Sequence, residues 1–179
     1  MQPEYLTYLD GLVDFIDEIY STNQSAYARL HLGFSASGLA SAYTIIERPE
    51  KFKLLASQSG AFWAGDEYGI KIQYLLATLS LDLKTWFSVG TYENNNSNET
   101  PMVNDTQRMV EICREKGWIT DEVYNPECHS FGQWRHVLDE MLEFFFPYKG
   151  STKKIIQNPI YIILPLIIIP ILYKRKHIK

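Results

Sequence analysis

The chain has 179 residues, 46% of them hydrophobic, which fits one globular domain with a sizeable core rather than a disordered segment. All 21 acidic residues precede Lys153 and six of the 17 Lys and Arg follow Thr152, so residues 1–152 carry 11 minus 21, a formal charge of −10. A domain this acidic is a poor binder of phosphate backbones, and nucleic acid is set aside as a partner.

Residues 3–20 place Leu6, Leu9, Val13, Ile16 and Tyr20 at helical spacing, and a polar break follows at 21–25. Residues 28–34 read as a buried strand and residues 38–48 as a helix that Pro49 stops. Between them stands GFSASG, residues 33–38. A strand, a tight turn and a helix would lift Ser35 clear of the backbone as an exposed nucleophile, and a serine so strained needs small residues two positions to either side. Gly33 and Ser37 occupy those places. The usual pattern is GxSxG, so Ser37 is a departure whose Cβ crowds the turn, with Gly38 relieving part of the crowding. Taken alone, GxSxS also describes an ordinary turn.

KLLASQSG (53–60) is a second apolar strand, and residues 66–80 read as a helix. KTWFSVG (84–90) is a third strand, residues 101–117 a helix and DEVYN (121–125) a weaker fourth strand. Residues 132–146 form an amphipathic helix closed by Pro147. Strands alternating with helices imply an α/β fold with a doubly wound, mainly parallel sheet. Ligands gather at the carboxyl ends of such strands. Ser35, the Ser59–Trp63 stretch, Glu93 and His129 follow the first, second, third and fourth strands in turn. The order Ser, acid, His is also that of the α/β hydrolases.

The two cysteines, Cys113 on a helix and Cys128 in a loop, make neither a disulfide framework nor a metal site, although a single bridge between them stays open outside the cell. Residues 155–173 are 19 positions without a charge, near the length that crosses a bilayer as a helix, and basic residues flank them. The expected organisation is a catalytic domain over 1–147, a linker over 148–154, a membrane-spanning helix over 155–173 in contact with lipid, and a basic tail over 174–179. A buried C-terminal helix is the alternative, and Pro159, Pro165 and Pro170 count against either helix less in a membrane than in water. Four Lys and Arg follow the span against Lys149, Lys153 and Lys154 before it. That margin, with NxS/T patterns at Asn23, Asn95, Asn98 and Asn104, leans toward a domain outside the cytoplasm.

RLHLGFSASGLASAYTIIERPEKFKLLASQSGAFW resembles the nucleophile segment of the esterase D and enterochelin-esterase-like family, part of the α/β hydrolase superfamily. That segment runs from an Arg through GxSxGG to PExF and SxSGxFW. Arg29, Pro49, Glu50, Phe52, Ser57, Ser59, Gly60, Phe62 and Trp63 stand where the pattern places them. VGTYE resembles the family's strand end followed by an acid, and ECHSFGQWRHVLDEMLEFFF its GHxxxxW segment with the final helix. The resemblance covers roughly residues 5–147. Ser37 and Cys128 stand in place of two family glycines. The family also has several strands before its nucleophile, including a loop that gives one oxyanion donor, so the chain is expected to be a C-terminal portion of such a domain.

The resemblance implies a serine esterase without a cofactor or a metal, acting on a small-molecule ester. Ser35 would attack the carbonyl, His129 would shuttle the proton and Glu93 would orient His129, with Glu99, Asp105 and Glu127 as substitutes for the acid. The backbone N–H of Ala36 would supply half of an oxyanion hole. Phe62, Trp63, Tyr92, Phe131 and Trp134 are candidates for an acyl or aryl pocket, with core packing as the rival role for Trp134. His31, within the first strand, is either packed or exposed; His136 is expected in solvent and His177 in the tail. An acyltransferase resembling mycolyl transferases, or an inactive truncated homologue, are the other readings.

Overall fold

The structure is a computed structural model that describes residues 3–64, 80–93, 101–147, 160–164 and 167–171. The expected helix over 66–80, the linker over 148–154 and the basic tail over 174–179 lie outside these residues or nearly so, as do Asn95, Asn98, Glu99 and His177.

Helix α1 (Pro3–Ile19) leads into strand β1 (Leu30–Phe34), helix α2 (Ala36–Glu47) and strand β2 (Leu54–Gln58). Strand β3 (Lys84–Gly90), a 3-10 turn over Thr91–Glu93, helix α3 (Pro101–Glu115) and strand β4 (Ile119–Asn125) follow. The long helix expected over 132–146 is two helices, α4 (Phe131–His136) and α5 (Leu138–Phe145). They part at Val137, whose φ of −98° and ψ of 3° lie outside the helical well. The apolar pattern runs on across the break because Trp134, Val137 and Met141 are all buried, so periodicity alone gives no sign of it.

Strands β1 to β4 are parallel, with Phe34, Gln58 and Ser88 in one row across β1, β2 and β3, and Ser88 opposite Val123 of β4. Alternation of side chains divides the core in two. Leu55 and Phe87 face a cluster with Leu9, Val13, Ile16, Ile45, Met109 and Ile112 from α1, α2 and α3. Leu30, Leu32, Leu54, Ala56 and Trp86 face the opposite side, packed with Val137, Met141 and Phe145 of the α4–α5 region. Helices therefore cover both faces of the parallel sheet, as the sequence implies. Each large side chain so buried contributes roughly 1.5–3 kcal/mol. Cys113 belongs to the first cluster, and burial pushes its thiol up to about 12.

The region expected to be a membrane-spanning helix is different. Its described residues are strands β5 (Ile160–Leu164) and β6 (Ile167–Ile171), paired antiparallel, with β6 also antiparallel to β1 through Leu30↔Ile168 and His31↔Ile167. The sheet order is β4-β3-β2-β1-β6-β5. Among the described residues no helix is long and apolar enough to cross a membrane. The physical reason lies in the residue types. Isoleucine is β-branched and fits a pleated surface, while prolines at 159, 165 and 170 each deny a helix a backbone donor. Charge-free length is a criterion that a helix and an apolar hairpin both meet.

Candidate active site

Ser35 sits between β1 and α2 with φ 53° and ψ −123°, a backbone conformation that a side chain rarely adopts. Its neighbours hold it there. Its N–H donates to the Gln58 carbonyl at 2.9 Å, and its carbonyl accepts from Gly38 at 2.9 Å and Ala61 at 3.0 Å. A Cβ at Gly33 would lie 1.9 Å from the Ser37 carbonyl oxygen, so only glycine fits there. At Gly38 a Cβ would come within 2.5 Å of Ser57 Oγ and 3.0 Å of Gly60 Cα, so its role is to let α2 close on the end of β2. Ser37 does more than fit. Its Oγ accepts from the Phe34 N–H at 2.8 Å and donates to the Phe34 carbonyl at 2.7 Å, bracing the turn that its Cβ was expected only to crowd.

Ala36 opens α2, so its N–H has no carbonyl four residues earlier within the helix and is presented beside Ser35. The helix N-terminus adds positive potential at the same place.

At the end of β3 the Thr91–Glu93 turn folds Glu93 back over the strand. Its carboxylate is almost wholly buried, with 1% of the side chain exposed, and a buried charge must be met by donors. Oε2 lies 2.8 Å from His129 Nδ1, while Oε1 accepts from Ser59 Oγ at 2.6 Å and from the Gly90 N–H at 2.8 Å. The loop after β4 is tied to the same turn by the Tyr92 N–H, which donates to the Glu127 carbonyl at 3.0 Å. His129 is 37% exposed, and with Nδ1 engaged its Nε2 is the nitrogen left for a reacting group. The Trp134 indole packs edge-on to the His129 ring with centroids 5.0 Å apart, and it stacks on Phe34, the residue before Ser35, also at 5.0 Å. Ser35 Oγ takes no part in the hydrogen-bonded set around Glu93.

Of the substitute acids, Glu127 is exposed and Asp105 lies on α3. His31 is fully buried, 2.9 Å from Ser41 Oγ and 3.3 Å from the Tyr5 hydroxyl, and that burial lowers its pKa to about 3. His136 is exposed. Among the aromatic residues named for a pocket, Phe62 and Trp134 are buried, whereas Trp63, Tyr92 and Phe131 are exposed at the carboxyl ends of β2, β3 and β4. Cys128, next to His129, is free and exposed. Ser59 is the residue whose contacts sequence reasoning missed; its signals were its place at the end of β2 and its match to SxSGxFW, neither of which names a partner.

The Esterase family's sequence profile matches residues 1–145, from α1 to the end of α5. The chain belongs to the Esterase family. No curated protein matches the sequence. Solved structures with a similar fold include the enterobactin esterase FES of Shigella flexneri, crystallised in the presence of enterobactin, at 19% identity with a TM-score of 0.66. That match covers 79% of this chain and 36% of the esterase. The S-formylglutathione hydrolase FrmB of Staphylococcus aureus is similar at 13% identity and a TM-score of 0.60, over 79% of this chain and 60% of that one. The siderophore hydrolase EstA of Aspergillus nidulans is similar at 16% and 0.56, over 78% and 53%. This esterase-family chain thus spans between about a third and three fifths of the length of these solved relatives.

Proposed function

We propose that the chain carries the reacting groups of a serine esterase: Ser35 as nucleophile, His129 as general base and then acid, and Glu93 as the carboxylate that orients His129. The observation that carries this reading is the 2.8 Å contact between His129 and the buried Glu93 carboxylate, at the same carboxyl end of the sheet as a serine held at φ 53°. In the reaction, Ser35 Oγ bonds to the ester carbonyl carbon as its proton passes to His129 Nε2. The carbonyl electrons move to an oxyanion facing the Ala36 N–H, a type of donor whose loss costs roughly 3–4 kcal/mol of barrier. Collapse of that intermediate expels the alkoxide, which takes the proton from His129 and leaves an acyl-serine. Water, deprotonated by His129, then releases the acid. The serine contact to the base often tightens only with substrate bound.

The exposed aromatic side chains of Trp63, Tyr92 and Phe131 support a small-molecule ester with an apolar or aryl group as substrate. A fluorophosphonate probe and a chromogenic aryl ester test the reading. Wild type should be labelled and should turn over, while Ser35→Ala should lose the label and turn over roughly 10⁴- to 10⁶-fold more slowly. Labelling that survives in Ser35→Ala would sink it.

A further inference from the structure

Ser59 is buried and holds φ 49°, the second of two non-glycine residues at positive φ among the described residues, the other being Ser35. Glycine would meet that backbone without strain, so a serine there has to be explained by its hydroxyl. Its Oγ lies 2.6 Å from Glu93 Oε1, accepts from Trp134 Nε1 at 2.9 Å, and lies 3.2 Å from the Gln133 side-chain oxygen. A hydroxyl has one proton and two lone pairs. An ionised Glu93 and an indole N–H fix its use: the proton goes to Glu93 and one lone pair receives Trp134. No proton is left to give to Gln133 Oε1, while Gln133 Nε2 is buried without a partner. Turning the Gln133 amide over places its NH₂ against Ser59 Oγ and fills the second lone pair. Both lone pairs are then occupied, and the proton has a single direction left.

We propose that Ser59 and Trp134 are a positioning pair for the active site, in which the Trp134 N–H and the Gln133 amide set the Ser59 hydroxyl so that it holds Glu93 in line with His129. The inference rests on the serine-esterase reading but does not follow from it, since neither residue need touch substrate. Trp134 is suited to the part because one indole reaches the contributions of three of the four strands. It donates to Ser59 after β2, packs on His129 after β4 and stacks on Phe34 before the nucleophile. Without the hydroxyl, Glu93 Oε1 keeps the Gly90 N–H alone, and the carboxylate can rotate away from Nδ1.

The test uses the full chain and four variants. Ser59→Gly removes the hydroxyl and its bonds while relieving the backbone, effects of opposite sign, so its melting temperature should stay within a few degrees of wild type and the variant should fold. Trp134→Phe keeps a ring in place and removes the N–H. The proton between His129 Nδ1 and Glu93 Oε2 should give a low-field NMR resonance in wild type and in Ser35→Ala, and it should broaden or vanish in Ser59→Gly and Trp134→Phe. In turnover, kcat should fall roughly 10- to 100-fold in Ser59→Gly with KM little changed, the scale of a modest misplacement of a reacting group. The double variant Ser59→Gly/Trp134→Phe should be no slower than the slower single variant, because both act through one contact. An unchanged resonance in Ser59→Gly, a wild-type kcat in that variant or additive losses in the double variant would overturn the proposal. Full activity in Ser35→Ala would instead defeat the esterase reading, whatever the resonance shows.

Discussion

Ser37 bonds back onto Phe34, accepting from its N–H and donating to its carbonyl three residues earlier. The serine that stands in place of the motif glycine thus takes up both backbone groups of the residue before Ser35. Ser37→Gly should cost about 1–3 kcal/mol for the two lost bonds, since each is worth roughly 0.5–1.5 kcal/mol net. That amounts to a few degrees in melting temperature, at about 2–4 °C per kcal/mol for a domain of this size. Ser37→Val should lose the same bonds and add a branched side chain, and it should be the worse of the two in stability and in rate of phosphonylation. A Ser37→Gly variant more stable than wild type would show that the bonds do not brace the turn.

Glycines in this chain should respond to alanine with opposite signs. Gly33→Ala puts a Cβ 1.9 Å from a backbone oxygen that cannot move without unwinding α2, and it should cost more than about 3 kcal/mol or prevent folding. Gly11, inside α1 with open space around it, should gain roughly 0.5–1 kcal/mol as alanine from helix propensity. Gly117, at φ 74°, should lose stability as alanine although nothing crowds it. Chemical unfolding of the three variants checks the ranking.

The buried His31 should make stability fall in acid. Its folded pKa is about 3 against an ordinary 6.5, because burial disfavours the imidazolium. Between those values the unfolded chain binds a proton that the native one does not, so stability drops as pH falls, by up to about 1.4 kcal/mol per pH unit from this group. Above pH 6.5 the group contributes nothing further. Urea unfolding at pH 7 and pH 5 should differ by about 2 kcal/mol from His31 in wild type, and the difference should shrink in His31→Gln. An equal difference in the variant would assign the acid sensitivity elsewhere.

Removing residues 153–179 deletes the hairpin whose β6 pairs with β1 at Leu30 and His31. The exposed edge of β1 would then offer unpaired backbone groups to other chains. The truncated protein should aggregate more readily and melt at a lower temperature, as light scattering and thermal unfolding would show. A truncated chain that stays monomeric and equally stable would mean the hairpin gives the sheet nothing.

What could be read from the sequence was the part governed by local pattern. Leu6, Leu9, Val13 and Ile16 mark the buried stripe of α1 by spacing alone, and the four parallel strands follow from apolar runs between helices. Gly33, Ser35 and Gly38 announce a strained turn because backbone sterics leave few residues free to stand there. Contacts over long separations were not readable. Ser59 meets Glu93 from 34 positions away and Trp134 from 75, and no local signal couples them. Phe62 and Trp134 are buried while Trp63, Tyr92 and Phe131 are exposed, a division that composition does not give because an aromatic residue suits a pocket and a core alike. In the isoleucine-rich end the described residues are strands where a helix was expected, since hydropathy measures where a segment prefers to be and not the backbone shape it takes there.

The two thiols of this chain differ in reach. Cys113 is buried in the core, and burial holds its sulfur in the protonated, unreactive form. Cys128 is exposed and adjoins His129 in sequence. A maleimide dye should therefore attach at one position on the folded protein, beside His129, with no engineering of the other cysteine. Its emission would report on whatever binds near His129, and any preparation stored with an oxidant or an alkylating agent would carry a modification next to the general base proposed above.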